Sequence, residues 1–221
     1  MDYRTKLYPR FYNPLLFKPE RSLPHQVAII GAGTIGPDIG YYLKSALPEI
    51  GLILIDVVNE PLINAEKRYH DYVDKAIKRK KLTEDKGKKI LANITYTKDY
   101  NAISNCDLII EAATEDIPLK KRIFKEVEEL VSPETIITSN TSSIPADRIF
   151  SEMKIPERAT VTHFFAPAWR NPAVEVITWE KVDQKILDYL CWLFCFTGKV
   201  PLISANVICF ILDRIFDNWC N

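Results

Sequence analysis

His163 and Glu175 stand twelve residues apart in THFFAPAWRNPAVEV (162–176), and His163 is one of only three histidines in the chain. An imidazole is the usual side chain for taking a proton near neutral pH. A carboxylate on its other ring nitrogen fixes the tautomer and stabilises the imidazolium that forms. Both residues lie in apolar, β-rich segments, TVTHFF (160–165) and VEVIT (174–178), which read as strands. Neighbouring strand ends can bring such a pair into hydrogen-bond range. A histidine on an apolar strand is also what a satisfied core histidine looks like, so the pair takes its meaning from the rest of the chain.

GAGTIG (31–36) supplies a second chemistry. It follows the apolar run Val27–Ile30 and precedes the helix-like GYYLKSAL (40–47), the context in which a glycine loop binds a dinucleotide. Gly31 permits the tight turn, Gly33 lets the backbone approach a pyrophosphate, and Gly36 lets helix and strand pack closely. Thr34 and Ile35 complete the loop, and the helix N-terminus offers free N–H donors to the phosphates. Asp56 ends the next strand, LILID (52–56), twenty residues beyond Gly36, where a carboxylate can accept ribose hydroxyls. It would repel a 2′-phosphate, and Val57 and Val58 offer no arginine to hold one, so the expected cofactor is NAD rather than NADP. Pro37 fits a first helical turn. Asp38 puts negative charge near the phosphate site, and nothing in the sequence accounts for it.

The elements that must position these groups alternate. Strand candidates fall at 27–30, 52–56, 94–97, 106–112, 135–139, 160–165, 174–178 and 200–204. Helices are expected from Asn59, read as an N-cap ahead of Pro61, from about Thr83, from Pro118, and over 183–197 before Gly198. This order implies an α/β fold, a doubly wound Rossmann-type domain with a mainly parallel sheet. Residues 1–24, broken by four prolines, read as an extended arm; 25–204 as the nucleotide-binding domain; 205–221 as the start of an incomplete C-terminal helical domain.

Lys+Arg and Asp+Glu both number 29 in 221 residues, so no global charge points to nucleic acid or a membrane surface. No apolar run reaches the roughly 18 residues that span a bilayer, and the first 24 residues carry no secretory h-region. Five cysteines show no metal spacing, and Cys191 and Cys195 sit in an apolar helical stretch that suits packing. A reduced, cytoplasmic protein without structural metal is expected.

Four more segments follow in order: CDLIIEAATEDIPLK, TSNTSS, THFFAPAWRNPAVEV and GKVPLI. With GAGTIG they make the chain resemble the L-3-hydroxyacyl-CoA dehydrogenase family from about residue 26 to the C-terminus. The resemblance implies oxidation of (S)-3-hydroxyacyl-CoA to 3-oxoacyl-CoA, with NAD taking the hydride. It implies that His163 is the general base, Glu175 its partner, and Ser142 a contact to the substrate oxygen. Glu115 and Lys120 match residues on the ribose and nicotinamide side of NAD; read alone, both look like solvated charges at a helix start. Arg79, in the basic run 75–81, is a candidate for the phosphates of coenzyme A. By the same resemblance Asp213 replaces an asparagine that the family places beside the catalytic histidine, and Ala166 likewise replaces an asparagine. Family members continue into a helical domain that carries a homodimer contact, so this chain reads as a fragment or a short form. Another NAD-dependent hydroxyacid dehydrogenase and a non-catalytic nucleotide-binding module remain alternatives.

Overall fold

The computed structural model describes residues 19–211 and 215; most of the expected N-terminal arm, much of the expected C-terminal helix start, and Asp213 lie outside the described residues. Each apolar, β-branched run becomes a strand: β1 Gln26–Ile30, β2 Gly51–Ile55, β3 Ile94–Thr97, β4 Leu108–Glu111, β5 Ile136–Ser139, β6 Ala159–Phe164, β7 Ala173–Thr178 and β8 Val200–Ala205. Among the described residues they form one sheet, ordered β3-β2-β1-β4-β5-β6-β7-β8. The first six run parallel, as unbroken apolar strands between two helical layers should. β7 is antiparallel to β6. Only residues 165–172 join these two strands, too few for the crossover a parallel pair needs. β8 returns parallel to β7 through a helical crossover.

The helices are α1 Gly36–Ala46, α2 Asn59–Lys78, α3 Glu84–Leu91, α4 Ile117–Leu130, α5 Ala146–Phe150 and α6 Gln184–Phe196. Alternation along each strand splits the core between the two faces. Val27, Ile29, Leu52 and Leu54 pack under α1, α2 and α6 through Leu43, Tyr69 and Leu190. Ala28, Ile30, Ile53 and Ile109 pack under α4 and α5 through Phe124 and Phe150. Each fully buried Ile, Leu or Phe contributes about 1.5–3 kcal/mol, which makes the strand ends a rigid frame. Caps fix where the helices begin: Thr83, Asp116 and Asp183 accept backbone N–H groups at the starts of α3, α4 and α6.

One expected cap differs. Asn59 is already helical and Val58 takes the N-cap position. The cause is Asp56, whose Oδ1 accepts the Val58 N–H at 3.0 Å and starts the turn one residue early. The order of strands reverses between β1 and β4, which leave a crevice at the carboxyl ends of the sheet. The chemistry-bearing residues converge there.

Candidate functional site

The glycine loop leaves the end of β1 with Gly31 at φ +108°, and a Cβ on it would lie 2.5 Å from the Ala112 carbonyl oxygen. A Cβ on Gly36 would stand 1.9 Å from the Gly31 oxygen, so the helix can start this close only without a side chain. Gly33 differs: nothing lies within 4 Å of where its Cβ would be. No protein contact demands glycine there, and the space it leaves open belongs to the crevice. Asp56 accepts the Ala32 N–H at 2.8 Å through Oδ2, so its carboxylate is fixed at the mouth of the loop. The remaining lone pairs suit ribose hydroxyls.

These groups line an open cleft of about 420 Å³, with Val57, Tyr100, Arg122 and Glu126 among its other walls. Its size is that of a small-ligand site. An open glycine, a helix N-terminus and a fixed carboxylate fit the adenosine and pyrophosphate of a dinucleotide. Thr34 and Ile35 carry the backbone into α1 at this point. Tyr100, Arg122 and Glu126 escape a motif reading because they come from a 3₁₀ turn and a helix face brought in by the fold.

The expectation that Lys120 is a solvated charge is overturned. Its side chain is 1% exposed, with Nζ 2.7 Å from Glu111 and 3.2 Å from Glu115. The first turns of α4 sit over the ends of β4 and β5, which turns position 120 inward. Glu111 is fully buried; besides Lys120 it accepts the Ser139 hydroxyl at 2.5 Å and the Ala113 N–H at 2.7 Å. The β4–β5 register sets Ser139 beside it. Burial raises the Glu111 pKa and the Lys120 charge opposes that rise. Glu111 escaped the motif reading, although a carboxylate ending an apolar strand is a visible signal of a partnered site.

Glu115 remains exposed, as expected. Its carboxylate accepts the Thr141 hydroxyl, the Ser142 N–H at 3.1 Å and the Ser143 hydroxyl at 3.4 Å. Burial raises its pKa, but the Thr141 hydrogen bond and the Lys120 charge outweigh that and leave it low. It therefore holds the turn after β5 as an anion. Asn140 joins that turn to β6: its Oδ1 accepts the Phe164 N–H at 2.8 Å, next to His163. Ser142 is thus carried on a braced, half-exposed turn.

In the antiparallel register of β6 and β7, His163 pairs directly with Glu175. His163 Nδ1 lies 2.9 Å from Glu175 Oε2, with the histidine 6% exposed and the glutamate fully buried. Glu175 Oε1 accepts the Ile211 N–H at 2.9 Å, so both carboxylate oxygens are committed and the side chain is held. Phe165 and Phe210 flank the imidazole, with ring centres 4.3 and 6.2 Å away. A donor proton on Nδ1 leaves Nε2 as the basic nitrogen, which is the arrangement of a general base. Arg79 is not part of this cluster. It is exposed at the end of α2, and the helix leading to it from β2 is about 30 Å long.

Among the described residues no group of three or more His, Cys, Asp or Glu side chains could hold a metal ion. Among the same residues no helix is long and apolar enough to cross a membrane.

The sequence model of the family described as "3-hydroxyacyl-CoA dehydrogenase, NAD binding domain" matches residues 26–207. The 3-hydroxyadipyl-CoA dehydrogenase of Escherichia coli (strain K12) is 34% identical over 189 residues, covering 86% of this chain and 39% of the relative. The peroxisomal fatty acid beta-oxidation multifunctional protein AIM1 of Arabidopsis thaliana is 34% identical over 191 residues, covering 86% of this chain and 26% of the relative. The chain thus spans well under half of either curated relative. The crystal structure of (S)-3-hydroxybutyryl-CoA dehydrogenase from Ralstonia eutropha superposes with a TM-score of 0.85 at 29% identity, covering 90% of this chain and 70% of that one.

Proposed function

Since the chain belongs to the 3-hydroxyacyl-CoA dehydrogenase family through its NAD-binding domain, we propose that it serves the oxidation of (S)-3-hydroxyacyl-CoA to 3-oxoacyl-CoA. The substrate alcohol loses its hydroxyl proton to His163 Nε2 and the hydrogen on the same carbon as hydride. NAD, when bound, accepts that hydride. Glu175 holds the imidazole in the tautomer that leaves Nε2 basic and stabilises the imidazolium afterwards. Ser142 donates to the oxygen as it becomes a carbonyl, and the turn braced by Glu115 and Asn140 keeps it in position. Gly31, Gly33, Thr34, Ile35, Gly36 and Asp56 hold the adenosine and pyrophosphate, with Glu115 on the nicotinamide side. The buried Lys120, expected from the sequence as a cofactor contact, instead holds Glu115 through an ion pair at 3.2 Å. Asp213 is proposed as a substrate contact from the family resemblance alone, and Arg79 with its basic neighbours receives the phosphates of coenzyme A.

The observation that carries this reading is the buried His163–Glu175 pair at 2.9 Å. The test is NADH formation from 3-hydroxybutyryl-CoA, in this chain and in any longer natural form, with His163→Ala and Glu175→Gln as controls. Turnover in the longer form that is lost on His163→Ala supports the assignment; turnover that survives it refutes the base. A homodimer is proposed for the longer form, to be measured by light scattering, and a cytoplasmic location, to be measured by cell fractionation. The free, buried thiols of Cys106 and Cys191 fit a reducing compartment.

A further inference from the structure

Asp38 lies two residues past the last glycine of the loop, in the first turn of α1. A carboxylate there is stabilised by the positive end of the helix, but it competes with the anion that the loop is shaped to receive. Asp38 is only 4% exposed, so solvent screens its charge poorly.

Compensation comes from α2. Arg68 sets Nη2 2.6 Å from Asp38 Oδ1, and Tyr72, one turn further along the helix, donates its hydroxyl to the same oxygen at 3.0 Å. The guanidinium lies 5.9 Å from the centre of the Tyr72 ring. It also donates to the carbonyl oxygens of Gly33 at 3.3 Å and Thr34 at 3.1 Å. In a trans peptide the C=O and the following N–H point in opposite directions. Carbonyls of Gly33 and Thr34 drawn toward Arg68 therefore set the Thr34 and Ile35 N–H groups on the other side of the loop.

We propose that Arg68 is a positioning residue for the dinucleotide: it cancels the charge of Asp38 and fixes the peptides that carry the Thr34 and Ile35 donors. The inference rests on NAD as the cofactor of this domain and is independent of the catalytic roles of His163 and Glu175. An acidic residue can then occupy the phosphate-binding turn without repelling the pyrophosphate.

Titration of the 221-residue chain with NADH, followed by nicotinamide fluorescence, tests this. Arg68→Ala should weaken NADH binding about tenfold, or ~1.4 kcal/mol. Adding Asp38→Asn to Arg68→Ala should recover most of the loss, and Asp38→Asn alone should bind at least as tightly as the wild type. Arg68→Gln, which keeps an amide donor but no charge, is measured alongside in case the alanine variant disturbs α2, with thermal melting to report the fold. Arg68 variants that bind like the wild type, or a folded double variant no tighter than Arg68→Ala, overturn the proposal. A wild-type chain that binds no NADH overturns the cofactor assignment and this proposal together.

Discussion

Lys120→Met removes the cation from a fully buried carboxylate while nearly conserving side-chain volume. Glu111 has no solvent exposure and Lys120 lies 2.7 Å away with 1% of its side chain exposed, so water cannot replace the lost partner. Breaking a buried pair in this way costs about 3–5 kcal/mol. For a domain of this size that corresponds to a fall in Tm of roughly 6–20 °C. The loss must depend on pH in a defined direction. Burial already raises the Glu111 pKa, and Lys120 is the largest influence holding it down; its removal lifts the folded-state value further above the unfolded one. A carboxylate so shifted binds more protons folded than unfolded, so stability falls as pH rises from the unfolded carboxylate range through the folded pKa. The variant should therefore be least impaired in mild acid and most impaired at neutral pH and above. Thermal melts from pH 5 to 8, with Glu111→Gln/Lys120→Met as the neutral control, test this. The double variant should regain most of the lost Tm at neutral pH. A Tm drop that is independent of pH, or a double variant no better than Lys120→Met, would refute the electrostatic account of this pair.

The glycines separate folding from binding. Gly36→Ala places a Cβ 1.9 Å from the Gly31 oxygen and should lower both Tm and NADH affinity, whereas Gly33→Ala meets nothing within 4 Å. The latter should leave stability within about 0.5 kcal/mol and still weaken NADH binding, as melting and titration of both variants would show. Lys199 is buried, donates to the Ala168 and Asn171 carbonyls and lies 4.4 Å from the centre of the Tyr42 ring. Burial lowers its pKa to about 8. The unfolded chain keeps that proton up to about pH 10.4, so the Lys199 contribution to stability should rise from pH 8 toward 10 and vanish in Lys199→Met. Parallel denaturant titrations of the two proteins measure it, and identical pH slopes would contradict the shift.

Much of the frame is local and therefore legible. GAGTIG between an apolar strand and a helix marks the loop, and every strand candidate becomes a strand. The His163–Glu175 pair is also legible, because each residue sits in a short β run and a short link joins the two. What escapes the sequence depends on contacts distant in the chain. Lys120 reads as a surface charge until α4 is laid over the ends of β4 and β5. Asp38 finds its partner in Arg68, thirty residues away on another helix. Helix periodicity gives no sign of that pairing, since both residues are polar. Asn59 loses its expected cap role because Asp56, already committed to the loop, also captures the next turn.

The central claim is that His163, held by Glu175, takes the substrate proton. The most direct test is kcat for 3-hydroxybutyryl-CoA oxidation in the longest natural form, measured with the NADH dissociation constant on the same samples. His163→Ala should lower kcat by about 10²–10⁴-fold and leave NADH affinity within twofold or so of the wild type. An unchanged kcat in a folded, NADH-binding His163→Ala protein would contradict the account.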